Sequence, residues 1–366
     1  MDLGASFAAA TGVELQLFTT VAFALAAGAY REGRLHINPT AWLSRTRVEP
    51  GTLARVLSLL GSTEEELRRS FGSFDAGRFN PYELTPLRKT PLLRLHDGTV
   101  LVLSPRLLLE RATEGVFWDL SDYWKAHGER FRAFWGALVE EYAWQLFAQG
   151  QRNNRGLFRS FRYQVPRRGQ CDTSDLMLVH EDLLVLVEVN SGRLRLHTKE
   201  TGDVQRFEED LERYLLNGGV GQLYRVFQDY QAAYFQLSSF EPRRAIPVVV
   251  TFESFPWNLL TAQRIRKLAS EKGHCSQEFA NSWTIIDLEE LEMLTALQEA
   301  GHPVGRVIGD WQSSPMWFQP LKNYLIARER YAPHSCKISG PAYVTQGYEL
   351  MGTRMAELLF GGADQG

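Results

Sequence analysis

The sequence predicts an α/β protein with a mixed sheet flanked by helices, preceded by a mainly helical N-terminal domain. Two observations lead to this fold class. Most of the first 125 residues carry apolar side chains at helical spacing, whereas the middle third alternates in the order helix, strand, strand, strand, helix, strand, helix, strand. Such an alternation is typical of a sheet covered by helices. We therefore expect a helical accessory domain at 1–125, an α/β domain at 126–300 and a C-terminal extension at 301–366.

The composition narrows the class of protein. The 366 residues are 44% hydrophobic and 23% charged, with 40 Lys and Arg against 43 Asp and Glu. This composition excludes a disordered or collagen-like chain, and a net charge of −3 means that affinity for nucleic acid must come from a local patch. Three scattered cysteines, no basic N-terminal stretch and no long apolar run predict a cytoplasmic protein without a membrane partner.

Local signals define elements of the accessory domain. The apolar run Val13–Tyr30 predicts a buried helix. Ser62 followed by Glu65 predicts a capped helix start. The segment Leu92–Leu103 places an Asp-Gly pair between two apolar runs, which is typical of a β-hairpin.

The elements of the α/β domain follow in chain order. They are a helix at Arg130–Gln149, a strand at Leu157–Gln164, a hairpin at Asp175–Val189, a helix at Val204–Gln231, a strand at Ala245–Phe252, a helix at Thr261–Lys272 and a short strand at Trp283–Ile286. Asp287 and Glu290 then form a capping box for another helix.

The predicted hairpin carries two carboxylates. If Glu181 and Asp182 form the centre of its turn, Asp175 lies opposite Glu188, and both carboxylates share one face of the sheet. A shift of one residue would separate them onto opposite faces. Adjacent carboxylates repel and raise each other's pKa unless a cation neutralises them. A hard divalent ion, Mg²⁺ or Mn²⁺, is the natural occupant of such a site.

This layout resembles the PD-(D/E)XK nuclease superfamily, which is restriction-endonuclease-like. The core hairpin of that superfamily presents an Asp and then Glu-x-Lys at the end of the second strand, here Asp175 and Glu188. A preceding helix often contributes a Glu, and Gly136-Ala-Leu-Val-Glu140-Glu-Tyr142 has that form. The resemblance spans about Arg130 to Leu297 and implies a restriction-endonuclease-like sheet in a metal-dependent DNA nuclease.

The sequence departs from the family pattern at the lysine position, which is Asn190. Asparagine supplies neither a cation nor a base, although it can hydrogen-bond a metal-held water. The helical carboxylate is also ambiguous, because the motif favours Glu140 whereas the helical phase favours Glu141. We assign the role to Glu140.

The resemblance implies a mechanism of metal-assisted phosphodiester hydrolysis. Asp175, Glu188, the Val189 carbonyl and Glu140 would hold one or two Mg²⁺ or Mn²⁺ ions, and Asn190 would stand in the catalytic set. The ion would lower the pKa of a bound water and shield the scissile phosphate.

An arginine-rich segment precedes the carboxylates and contains no acidic residue between Gln151 and Gln170. The arginines of such a segment can contact phosphates. Alternatively, they can lie on an edge strand that faces solvent, where their charges prevent pairing with other chains. The predicted nucleic-acid-binding residues are Arg152, Arg155, Arg159, Arg162, Arg167, Arg168, Arg193 and Gln222.

Three functions remain open from the sequence. The first is a magnesium-dependent DNA nuclease acting in defence, restriction or DNA processing. The second is a catalytically degenerate nuclease fold, marked by Asn190, that binds nucleic acid or a partner subunit. The third is a scaffold in a larger complex, with a protein partner or a second copy bound through residues 1–125.

Overall fold

The computed structural model of the chain describes residues 2–72, 84–125, 128–150, 156–192, 198, 203–237, 244–332 and 340–361. The fold consists of two compact units. One comprises Met1–Phe134 with Tyr348–Gly366, and the other comprises Trp135–Gly347. Helices and mixed sheets combine in an α/β architecture.

The first unit is mainly helical. Its helices are α1 (Leu3–Thr11), α2 (Leu15–Glu32), α3 (Pro39–Trp42), α4 (Pro50–Leu60), α5 (Glu64–Phe71), α6 (Thr85–Lys89), α7 (Pro105–Ala112), α8 (Val116–Tyr123) and the start of α9 (Gly128–Gly150). Four short strands, β1 (His36–Ile37), β2 (Gly61–Ser62), β3 (Leu92–Arg94) and β4 (Val100–Val102), form a sheet in the order β1-β4-β3-β2.

Two local predictions in this unit have different outcomes. The hairpin is confirmed, because β3 and β4 pair antiparallel and Gly98 takes a φ of 81° in the turn. The capping box is wrong by one residue. Ser62 pairs within the sheet as part of β2, so Thr63 becomes the cap and exchanges hydrogen bonds with Glu66.

The second unit is built on a five-stranded mixed sheet. Its strands are β5 (Leu157–Arg159), β8 (Leu176–His180), β9 (Leu183–Asn190), β10 (Arg244–Thr251) and β11 (Thr284–Asp287), in the order β11-β10-β9-β8-β5. The pairs β9–β10 and β10–β11 are parallel, and the pairs β8–β9 and β5–β8 are antiparallel.

The predicted strand Leu157–Gln164 is two strands. After β5 the chain leaves the main sheet, and β6 (Arg162–Val165) pairs with β7 (Gly169–Asp172) in a separate hairpin. Thr173 fixes this branch, since its hydroxyl accepts a hydrogen bond from the amide of Phe161 and its own amide donates to the carbonyl of Phe161.

Helices complete the second unit. They are the rest of α9, α10 (Val204–Asp210), a π-helix (Leu211–Val220), α11 (Gly221–Gln231), α12 (Leu259–Glu271), α13 (Gln277–Ala280), α14 (Leu288–Glu299), α15 (Val304–Gln312), α16 (Leu321–Ala327) and the start of α17 (Ala342–Phe360). The predicted helix Val204–Gln231 is therefore helical throughout, but its middle ten residues are wound as a π-helix.

Helices cover both faces of the sheet. A Cβ on Gly219 of the π-helix would meet the Val249 side chain at 3.2 Å, so a glycine lets this helix approach β10 closely. On the other face, a Cβ on Gly305 of α15 would meet Val185 at 3.1 Å. Glu188 is the register partner of Val249 and therefore shares the face covered by the π-helix.

The segment 301–366 is not a separate extension. Trp311 of α15 and Tyr324 of α16 are buried in the second unit, and residues from Tyr348 onward cluster with the first unit. Large apolar side chains at these positions account for the packing, because burying them removes apolar surface from water.

No single helix in the described part of the chain is both long and apolar enough to cross a membrane; only α1 and α2 taken together, bent by 78°, meet the criteria of length and composition.

Candidate active site

The two hairpin carboxylates lie side by side. Leu176 of β8 pairs with Val187 of β9, and this register places Asp175, directly before β8, opposite Glu188. The amide of Val189 donates a 2.8 Å hydrogen bond to Oδ2 of Asp175, which ties the carboxylate to the neighbouring strand. This is the register expected from a turn at Glu181 and Asp182.

Glu188 is more deeply buried than Asp175. Only 7% of its surface is exposed, and its Oε2 has no hydrogen-bond partner within the described residues. Burial raises the pKa of Glu188 well above its usual range, and the charges of Asp175 and Glu140 raise it further. A buried carboxylate oxygen without a donor is costly unless a proton or a cation satisfies it.

Asp175 responds to the same surroundings. Burial raises its pKa to about 6, the hydrogen bond from Val189 opposes the rise, and the charge of Glu140 adds to it. Both carboxyl groups of the pair therefore hold a proton to higher pH than isolated carboxyl groups do, which is the behaviour expected of carboxylates that are buried and held together.

Helix α9 brings a third carboxylate toward the pair. Glu140 raises the pKa of both Asp175 and Glu188, and burial raises its own pKa against the opposing charge of Arg159. The neighbouring Glu141 is engaged elsewhere, since it accepts hydrogen bonds from Gln145 at 2.7 Å and from Arg159 at 2.5 Å. Of the two adjacent carboxylates, Glu140 is the one coupled to the hairpin.

Asn190 ends β9 on the same face as Glu188. Its Oδ1 accepts a 2.8 Å hydrogen bond from the amide of Gly192, and it lies beside Thr251 of β10. With Tyr214 of the π-helix it lines a cavity of about 30 Å³, room for about two water molecules. The side chain that replaces the motif lysine thus shapes the turn after the strand.

The oxygen atoms around the pair decide whether the site suits a divalent cation. No group of three His, Cys, Asp and Glu side chains close enough to hold a metal ion is found in the described ranges. The unpartnered Oε2 of Glu188, beside Asp175, nevertheless supplies the acidic oxygen donors that Mg²⁺ prefers. The donor set fits a cation held by two carboxylates, with Glu140 and the Val189 carbonyl as further candidates.

The predicted arginine patch is divided by the structure. Arg152, Arg155 and Arg193 lie outside the described residues. Arg159 is paired with Glu141, Arg162 with Asp172 at 3.2 Å, and Arg168 with Asp229. Tertiary partners therefore neutralise much of the charge that the sequence displays between Gln151 and Gln170.

Arg167 differs from these three arginines. It is exposed in the turn of the β6–β7 hairpin, where it takes a φ of 70°, and no ion pair to it is found among the described residues. A left-handed conformation at a residue other than glycine costs about 1 kcal/mol or more and is found more often at functional sites than elsewhere. Arg167 is the described member of the predicted set that is best placed to meet an anionic partner.

The hairpin is anchored to α11. The hydroxyl of Tyr163 donates a 2.6 Å hydrogen bond to Asp229, which is buried. Asp229 also accepts a hydrogen bond from the guanidinium of Arg168. Gln222 lies near the start of the same helix. Its side-chain Nε2 is 3.5 Å from the carbonyl oxygen of Thr173, which is long for a hydrogen bond. Gln222 is thus close to the chain that leads into Asp175.

Sequence reasoning missed Arg225, Asp229 and Tyr163. A signal for the first two was present, because Gln222, Arg225 and Asp229 are spaced by three and four residues and share one helix face. Tyr163 gave no such signal, since its partner lies 66 residues away in the sequence.

Comparison with known proteins adds no assignment: no protein-family model and no curated protein matches the sequence.

Proposed function

We propose that this chain is a metal-dependent DNA nuclease with a restriction-endonuclease-like core. The observation that carries the proposal is the pair of half-buried Asp175 and buried Glu188, held at adjacent antiparallel strands with one oxygen of Glu188 unpartnered in the described structure. The order of elements also supports it, since α9 with Glu140 precedes the hairpin, and α11 and the parallel strand β10 follow.

The roles of the residues follow from their positions. Asp175 and Glu188 would hold Mg²⁺ or Mn²⁺, with Glu140 and the Val189 carbonyl completing the ligands. When bound, the ion would lower the pKa of a coordinated water and offset charge on the scissile phosphate. The amide of Val189 fixes the position of Asp175, and burial beside other carboxylates raises the pKa of Glu188, so a bound cation would favour its charged form.

DNA would be held by the arginines near this site. Arg167 at the tip of the β6–β7 hairpin is suited to a backbone phosphate, and the hairpin is fixed on α11 through Tyr163 and Asp229. The ion pairs of Arg159, Arg162 and Arg168 would have to be shared with or exchanged for phosphate contacts.

Cleavage assays test the proposal. Supercoiled plasmid and linear single-stranded DNA are incubated with Mg²⁺ and then Mn²⁺, using wild type, Asp175→Ala and Glu188→Gln. Glu292→Gln is the matched control, because Glu292 is a part-buried carboxylate of the same unit that accepts a hydrogen bond from Tyr142. We expect metal-dependent cleavage that both site variants lose and the control retains. Undiminished cleavage in both site variants, or none in wild type, contradicts the proposal.

One observation favours a second candidate, a nuclease fold that binds nucleic acid without cutting it. Asn190 replaces the motif lysine, and its side-chain oxygen is occupied by the amide of Gly192. For this candidate, the wild type binds DNA without cleaving it, and the double variant Arg159→Ala with Arg162→Ala lowers the affinity and its dependence on salt.

A further inference from the structure

The proposed site lacks the cation that a lysine would provide at position 190. Arg159, whose charge acts on Glu140, is hydrogen-bonded to Glu141 at 2.5 Å and lies over the Trp144 ring at 5.4 Å. These contacts occupy Arg159, so the other described elements of the unit are the candidates for a positive charge that could meet the phosphate.

Helix α11 offers such a charge at Arg225. Gln222, Arg225 and Asp229 share one helix face. At one end of this face Gln222 contacts Thr173, and at the other end Asp229 contacts Tyr163. Arg225 lies between these contacts, on a helix that packs against β9 and β10. Glu188 belongs to the sheet face on which the preceding π-helix lies, and α11 continues directly from that π-helix.

Among the described residues, no hydrogen-bond or ion-pair partner of the Arg225 guanidinium is found. Its Nε is buried without a hydrogen bond, and none of the described residues forms an ion pair with it. Asp229, the carboxylate one turn along the helix, is occupied by Tyr163 and Arg168. A partly buried and unpaired guanidinium is costly and calls for an anionic partner.

The position of Arg225 follows from the two contacts of its helix, Gln222 with Thr173 and Asp229 with Tyr163. In agreement with this position, the charge of Arg225 opposes the rise in the pKa of Glu188 and of Tyr163 that burial causes.

We propose that Arg225 supplies the cation missing at Asn190 and contacts the scissile phosphate beside Asp175 and Glu188. This inference rests on the proposed function. A guanidinium presents a rigid fork of N–H donors that matches two phosphate oxygens, and it keeps its charge in a partly buried setting. Placed beside the carboxylates, it would stabilise the negative charge that develops on the phosphate during hydrolysis.

The test compares wild type with Arg225→Met and Arg225→Lys. Methionine keeps the apolar stem without the charge, and lysine keeps the charge without the fork. Arg244→Met is the matched control, because Arg244 begins β10, five residues along β9 from Glu188 in the strand register, where it faces Asp182. Single-turnover cleavage, DNA binding in Ca²⁺ at several salt concentrations and thermal melting are measured for each full-length variant.

We expect Arg225→Met to cleave about 100-fold or more slowly, Arg225→Lys to recover part of that loss, and Arg244→Met to match wild type. A Met variant that folds and cleaves within about threefold of wild type overturns the inference. So does a Lys variant no faster than the Met variant. If the Met variant fails to fold, Arg225→Gln replaces it and is judged by the same limits, a loss of about 100-fold supporting the inference and a rate within about threefold of wild type overturning it.

The failure of the proposed function gives a different pattern. If wild type binds DNA without cleaving it, the nuclease proposal fails. The contact of Arg225 with a phosphate is then tested by the slope of the logarithm of the DNA-binding constant against the logarithm of the salt concentration. A slope reduced by about one in Arg225→Met supports the phosphate contact, and an unchanged slope overturns it. A wild type that neither cleaves nor binds DNA ends both proposals.

Discussion

Two buried carboxylate pairs lie in the second unit and differ in how they are satisfied. At the start of α14, Glu290 accepts hydrogen bonds from the amides of Asp287 at 3.1 Å and of Lys322 at 3.0 Å, while Asp287 accepts from the amide of Glu290. At the β8–β9 hairpin, Asp175 accepts one amide hydrogen bond and Glu188 keeps an oxygen without a partner in the described structure.

Both glutamates have raised pKa values, so the pKa alone does not tell the pairs apart. Burial raises the pKa of Glu290 to about 7, as it also raises that of Glu188. The difference lies in the hydrogen bonds. A helix cap uses its carboxylates to satisfy backbone amides, whereas the hairpin leaves acidic oxygens for a proton or a cation. The comparison teaches that unsatisfied donors and acceptors, rather than titration, identify the functional candidate.

The largest expected effect is on cleavage by Glu188→Gln. Replacing the carboxylate removes a metal ligand, so we expect cleavage to fall at least about 1,000-fold with the fold retained. Isothermal titration with Mn²⁺ should show the loss of metal binding in parallel. If Glu188→Gln cleaves DNA at the wild-type rate, the hairpin carboxylates have a structural role, like those at the start of α14, and no role in cleavage.

The second prediction concerns pH in the absence of metal. Because the folded pKa of Asp175 is raised from 3.8 to about 6, its contribution to stability is fully present below about pH 4 and is lost as the pH rises through about 6. The loss amounts to about 3 kcal/mol at most. Urea unfolding in EDTA between pH 4 and pH 8 measures it, and Asp175→Asn should flatten the curve. Added Mn²⁺ should restore stability at the upper end, and identical curves for both proteins would refute this prediction.

The third prediction concerns the satisfied pair. Glu290→Ala leaves the amides of Asp287 and Lys322 without acceptors, so we expect the free energy of unfolding to fall by about 2 kcal/mol. The cleavage rate of the folded variant should equal that of wild type. Denaturant unfolding and a cleavage assay below the midpoint check both statements, and a specific loss of cleavage would place this pair in the active site.

The smallest effect distinguishes the adjacent carboxylates of α9. Glu140→Gln should slow cleavage about tenfold, because Glu140 is coupled to Asp175 and Glu188. Glu141→Gln should change the rate by less than about threefold, since it breaks a part-exposed ion pair with Arg159. Cleavage rates at saturating Mg²⁺ decide between them, and the reverse order would return the role to Glu141.

Several features could be predicted from the sequence because they depend on local chemistry. The capping box at Asp287 and Glu290 involves residues three positions apart, and the Asp-Gly turn at Gly98 depends on one backbone conformation. The opposition of Asp175 and Glu188 follows from the alternation of side chains along a strand once the turn is located.

Other features could not be predicted because distant partners decide them. The arginine-rich segment reads as a cluster of positive charge, but Glu141, Asp172 and Asp229 lie 18, 10 and 61 residues from the arginines that they pair with. The branch at Ser160 depends on hydrogen bonds of Thr173, and the π-helix lies where Gly219 packs on Val249. A single sequence does not show which of its distant residues lie close together in the folded chain.

By itself, the sequence determined the α/β class, the hairpin with its two carboxylates and the placement of Asn190 two residues after Glu188, since these depend on periodicity and residue type. Only the tertiary structure decided which carboxylate of α9 acts on the pair, which arginines are neutralised, and that the helix of Arg225 packs against β9 while the described residues offer Arg225 no ion-pair partner. The reason is physical: burial and hydrogen-bond satisfaction are properties of neighbours in space, and packing brings those neighbours together from separate parts of the chain.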